Sequence, residues 1–114
     1  MHELAVAASL CEWALGQARQ IAPRRLVAIE LEHDPLSGLN SDAVDFGFRA
    51  LSAETELAEV KLVFQEVNPC YVCPDCRETF RRAGPPSACP SCRGGPPRLS
   101  REDSLRVTSI EVEE

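Results

Sequence analysis

Four thiols dominate the chemistry of this chain. Cys73-Pro-Asp-Cys76 and Cys89-Pro-Ser-Cys92 are two Cys-x-x-Cys knuckles joined by a short loop that contains Gly84, Pro85 and Pro86. A tight turn of this kind presents two sulfurs at chelating distance, and two turns supply the four ligands of a tetrahedral metal. Thiolates at about 2.3 Å select zinc over harder ions. The proline after Cys73 and the one after Cys89 suit a knuckle turn, and Gly94-Gly95 lets the backbone bend behind the second pair. Four thiolates leave no open position for water or substrate, so the expected zinc is structural. Disulfides are the rival use of these thiols. No secretory leader is expected at the acidic Met1-His2-Glu3 start, and Glu12 interrupts the apolar run behind it. Reduced thiols in a cytoplasmic protein are therefore expected.

A second constellation sits at the other end. His2 places an imidazole beside the Met1 α-amine and the first backbone amide nitrogens, which can close small chelate rings around one ion. A planar, all-nitrogen set suits Ni(II) or Cu(II) and is poor for zinc; the ordinary alternative is a solvated terminal histidine. His33 is expected to be a solvated strand end. Of the two remaining thiols, Cys11 falls on a helical face with Leu4, Ala7 and Leu15, which points to packing. Cys70, three residues before Cys73, is an alternative ligand but is expected to be a spare, because the 73/76 pair mirrors the 89/92 pair better. No nucleophile stands beside a base in a catalytic motif and no glycine-rich phosphate loop is present, so an enzyme is not expected.

The elements that must position these groups are legible from periodicity. Residues 3 to about 21 form an amphipathic helix with Leu4, Ala7, Cys11, Leu15, Ala18 and Ile21 on one face, ended by Pro23. Leu26 to Glu32 reads as a strand, and Pro35-Leu36-Ser37-Gly38-Leu39-Asn40 as a turn-rich connection. Asn40 or Ser41 then caps a second helix carrying Val44, Phe48 and Leu51, with Phe46 beside them and Asp42 and Asp45 in its first turns. Lys61 to Val67 is a second strand. Ser104 to Glu113 alternates as a third, with Leu105, Val107 and Ser109 against Arg106, Thr108 and Ile110. The returning strand is expected to pair with the first two. The fold class is therefore α+β: two helices packed on a small three-stranded mixed or antiparallel sheet, with an inserted zinc-ribbon lobe. The expected division is 1–68 as an α+β lobe, 69–98 as the zinc-ribbon lobe and 99–114 as the strand that completes the first lobe.

Net charge is −6 over 114 residues, which disfavours nucleic acid as a partner. Seven of the twelve basic residues are arginines between Arg77 and Arg106. A four-thiolate zinc carries −2, so these guanidinium groups are expected mostly to offset the charge of the site. Tyr71 and Phe80 are the only aromatics there for base stacking. No segment approaches the ~20 apolar residues of a membrane span. On composition alone, a zinc-ribbon adaptor that binds protein or nucleic acid and takes no second metal stays open.

Taken in order, Met1-His2-Glu3-Leu4, Leu36-Ser37-Gly38-Leu39 with Asp42-Ala43-Val44-Asp45-Phe46-Gly47-Phe48, the two knuckles, and Leu105-x-Val107-x-x-Ile110-Glu111-Val112-Glu113 resemble the HypA/HybF family of hydrogenase nickel-incorporation proteins. The resemblance runs over nearly the whole chain. It implies a nickel metallochaperone for [NiFe]-hydrogenase maturation that works with a HypB-type GTPase and delivers to the hydrogenase large subunit. Urease maturation proteins remain open as further partners. By position it assigns nickel to His2, with Glu3 and the Met1 amine giving backbone nitrogens, and zinc to Cys73, Cys76, Cys89 and Cys92. Where the family pattern has Ile-Gly before Leu-Ser-Gly, this chain has His33-Asp34 followed by Pro35.

Overall fold

Alanine and leucine, strong helix formers with no interior proline, carry the first helix, α1, from His2 to Ile21. These elements come from a computed structural model of the protein, which describes residues 2–100 and 105–113. Met1, assigned a nickel donor above, and Ser104, the expected start of the last strand, lie outside the described residues. The buried stripe of α1 is Ala7, Leu10, Cys11 and Ala14. Leu4 is 53% exposed rather than part of it, although its Cδ1 borders the neighbouring helix, 3.6 Å from where a Cβ on Gly47 would lie.

That neighbour, α2 (Ser41–Ser52), is capped by Asn40, whose Oδ1 accepts the Ala43 N–H at 3.1 Å. It buries Val44, Gly47, Phe48 and Ser52. Phe46 and Leu51, expected on or beside the packed face, point outward. The reason is the closeness of the helix pair: a Cβ built on Gly47 would sit 3.0 Å from the Ala7 Cβ. Small side chains at the crossing let the backbones approach, and the large Phe46 is left on the far side.

The helices cover one face of a three-stranded mixed sheet. Strand β1 (Arg25–His33) is central, parallel to β2 (Lys61–Glu66) and antiparallel to β6 (Leu105–Glu113). The returning strand therefore pairs with β1 alone; β2 lies on the opposite edge. Rows on the core face read Leu62–Ile29–Ile110, Phe64–Leu31–Val107 and Glu66–His33–Leu105. Ile110 was expected on the opposite face from Leu105 and Val107. An extra residue in β6, Thr108, falls between the Leu31–Val107 and Glu30–Ser109 pairs, and this bulge shifts the alternation by one. On the outer face Arg106 reaches Glu32 at 2.8 Å across the strands.

The cysteine-bearing segment has its own small sheet of β3 (Cys70–Val72), β4 (Thr79–Arg81) and β5 (Arg98–Leu99), with β3 in the centre. Its apolar contact is slight: Tyr71 and Phe80 stack across β3 and β4 with ring centroids 6.1 Å apart. A radius of gyration of 16.9 Å and extents of 51 × 29 × 18 Å exceed the ~13 Å radius of a compact chain of this length, so the two sheets lie end to end. No helix among the described residues is long and apolar enough to cross a membrane.

Candidate metal centre

Each knuckle is shaped by its own backbone. Cys73 N–H donates to Glu78 O at 3.0 Å and Arg77 N–H to Cys73 O at 2.9 Å; Cys89 N–H donates to Gly94 O and Arg93 N–H to Cys89 O, both at 2.9 Å. Arg77 and Arg93, one residue past each second cysteine, both take φ 64°, the left-handed conformation that closes the turn. The two halves therefore repeat one another residue for residue.

Together they bring Cys73, Cys76, Cys89 and Cys92 to one point, with all four sulfurs within 4.8 Å of one another. Cys73 Sγ and Cys92 Sγ are 3.5 Å apart, and Cys76 Sγ and Cys89 Sγ 3.7 Å. Tetrahedral zinc with bonds of about 2.3 Å requires sulfurs about 3.8 Å apart, so the spacing fits that ion. Backbone N–H groups point at the sulfurs: Asp75 N to Cys73 Sγ, Ser91 N to Cys89 Sγ and Gly94 N to Cys92 Sγ, each 3.3 Å. Such bonds stabilise thiolate charge and orient the ligands. The donors found at these sulfurs are thus main-chain amides. Arg81 ties Asn68 O to the lobe at 2.7 Å.

Proton affinity is uneven across the cluster. The amide of Cys92, outweighing desolvation and helped by the Ser91 amide and the neighbouring thiols, lowers Cys89 to about 7. The Glu78 backbone bond favours the Cys76 thiolate, but desolvation and hydrogen bonds with Cys92, Cys89 and Cys73 outweigh it and push Cys76 up to about 12. Cys92 is also raised, its bond with Cys73 and desolvation overriding the Gly94 amide. Asp75 links the halves: Gly95 N–H donates to its Oδ2 at 2.9 Å. Cys70 stays outside the cluster, its thiol turned to Tyr71 O at 4.0 Å. Buried Cys11 donates to Phe48 O at 3.8 Å, and burial raises its thiol.

Of the nickel residues expected at the amino end, His2 and Glu3 occupy the first turn of α1, where His2 is exposed. The first four N–H groups of a helix have no intrahelical acceptor, so the amides of this turn are not committed to the helix ladder. Glu3 Oε2 accepts the Asn40 N–H at 3.1 Å, and this bond, ahead of one from its own amide, holds the Glu3 carboxyl below the usual carboxylate range. Sequence reasoning missed that contact because it spans 37 positions. It also misplaced His33, which is not a solvated strand end. His33 is 6% exposed, and its Nε2 donates to Leu39 O at 2.8 Å. Its place in phase with Ile29 and Leu31 was the available signal. Asp34, likewise buried, accepts the Leu36 N–H at 2.9 Å and opens a 3-10 turn, Pro35–Ser37.

A family model described as "Hydrogenase/urease nickel incorporation, metallochaperone, hypA" matches residues 1–112. The chain is 36% identical over 114 residues to the hydrogenase maturation factor HypA of Geotalea uraniireducens, covering 99% of this chain and 100% of that one. It is 34% identical over 112 residues to that of Aeromonas hydrophila, with 98% and 99% covered. Its fold is similar to the solution structure of the Ni metallochaperone HypA from Helicobacter pylori, with TM-score 0.75, 16% identity and 97% of each chain covered. A second solution structure, of a HypA protein, superposes with TM-score 0.74 at 18% identity, covering 97% of this chain and 95% of that one.

Proposed function

We propose, because this chain belongs to the HypA family of hydrogenase/urease nickel-incorporation metallochaperones, that it carries Ni(II) on its amino terminus and surrenders it to a partner. The family consists of maturation factors, not enzymes. Nickel is cargo, held by the His2 imidazole with the Met1 amine and the backbone nitrogens of His2 and Glu3. Zinc is resident, held by Cys73, Cys76, Cys89 and Cys92, and supplies the cross-link that a lobe with so little apolar core needs. The observation that carries this reading is the division of donors. The cysteine set is closed, with four sulfurs within 4.8 Å of one another, whereas exposed His2 opens a helix whose first amides have no ladder partners.

Delivery is ligand exchange. A terminus can be stripped one nitrogen at a time by an incoming protein, which a buried cage does not allow. Imidazole, amine and amide must lose their protons to bind, so loading weakens as pH falls. A HypB-type GTPase supplies the nucleotide hydrolysis for which this chain has no motif, and the [NiFe]-hydrogenase large subunit receives the metal.

The test is nickel titration of the untagged protein beside a form carrying two extra N-terminal residues. Extension moves the α-amine away from His2. The extended form is expected to lose most of its nickel affinity and keep one zinc. Equal nickel uptake by both forms overturns the terminal site and favours a zinc-ribbon adaptor.

A further inference from the structure

We propose that His33 is a positioning residue for the amino-terminal nickel site, acting through the Leu39–Asn40 peptide and the Glu3 carboxylate; the inference rests on the nickel reading above. Core-facing alternation along β1 runs Ile29, Leu31, His33, so the strand delivers a polar ring to a place suited to leucine. Its Nδ1 is shielded from solvent and has no hydrogen-bond partner. Burying a polar atom unpaired is unfavourable, so what the ring gains must come from its other nitrogen. That nitrogen, Nε2, is 2.8 Å from Leu39 O. A carbonyl only accepts, so Nε2 bears the proton and donates.

The peptide it holds is the one whose N–H, on Asn40, donates to Glu3 Oε2 at 3.1 Å. A peptide unit is planar, so fixing its carbonyl end also fixes the direction of its N–H end. The contact with Glu3 is itself exposed, and an isolated exposed hydrogen bond orders little. Anchored from behind by a buried ring, and flanked by the Asn40 cap on α2 and the Asp34 bond to Leu36 N, the same contact becomes the end of a strut. The strut runs from the end of the central strand to the first turn of α1. Glu3 is one residue from His2, so a fixed Glu3 carboxylate limits the freedom that the terminus loses when it wraps an ion.

Ni(II) alone, titrated into the zinc-loaded, untagged full chain against a chromophoric chelator, tests this. Two conservative variants separate the ring nitrogens. Glutamine places an N–H near the position of Nε2, and asparagine near that of Nδ1. His33→Gln is expected to bind nickel as the parent does. His33→Asn and His33→Leu are expected to bind about three- to tenfold more weakly, the scale of one lost hydrogen bond, with zinc still at one per chain. Since the effect passes through Glu3, His33→Leu should cost nothing further in a Glu3→Ala background. Equal affinities for the Gln and Asn variants, or an undiminished loss in the Glu3→Ala background, overturn the positioning role. If His33→Leu does not fold, the Gln and Asn pair still decides. His2→Ala keeps the two readings apart. If it binds nickel like the parent, the terminal site itself falls. If it loses nickel while the His33 variants are indistinguishable, only the strut falls.

Discussion

The two knuckles are pinned by one carboxylate, and Gly94→Ala should unpin them. A Cβ built on Gly94 overlaps Asp75 Oδ2 and lies 3.0 Å from Asp75 Cγ and 3.2 Å from its Cβ. The carboxylate cannot simply turn away, because its Oδ2 also accepts the Gly95 N–H at 2.9 Å. Relief therefore breaks a charge-assisted bond at the solvent edge and shifts the backbone behind Cys92, a loss of about 1–2 kcal/mol. Metal binding and folding of such a lobe are one equilibrium, so the loss should appear as zinc affinity lowered roughly five- to thirtyfold. The assay is competition with a zinc chelator at fixed pH. A double-mutant cycle sharpens it. Asp75→Ala removes the same bond, so Gly94→Ala added to it should cost only about 0.5 kcal/mol more, owing to the remaining Cβ contact. Parental zinc affinity in Gly94→Ala, or full additivity in the double variant, refutes the pinning.

Two further outcomes follow from the same geometry. Zinc competes with protons at Cys76 and Cys92, both raised, and below about 7 also at Cys89. Affinity should therefore fall on acidification, more steeply below about 7 than above it, read by chelator competition between pH 6 and 8. Phe48, 1% exposed, and Phe46, 77% exposed, sit two residues apart on α2. Denaturant melts should give a loss of about 3–5 kcal/mol for Phe48→Ala and at most about 0.5 kcal/mol for Phe46→Ala.

What could be read in advance was what local spacing dictates. Cys73, Cys76, Cys89 and Cys92 belong to two tight turns, so their convergence follows from chain geometry. Both long helices and all three strands of the main sheet have clear periods. What was hidden depends on contacts between distant segments. Hydrophobicity alone puts Phe46 against the core, yet Gly47 and Ala7 govern how closely the helices approach. The Thr108 bulge did leave a trace, a step of three from Val107 to Ile110 where the apolar positions otherwise step by two, though only the partner strand defines it. His33 looked solvated since histidine and aspartate before a proline resemble a turn. The Leu39 carbonyl that gives the ring a reason to be buried is supplied by the returning loop.

Strand β2 ends at Glu66 and β6 begins at Leu105, and both residues face His33 across the sheet, one on each side. The chain thus leaves the main sheet and returns to it at two points about 10 Å apart, twice the spacing of neighbouring strands. A protein that grasps the lobe and tilts it would pull on the edges of the row that holds the imidazole. Such a pull at the zinc end would bear on the residue behind the amino terminus.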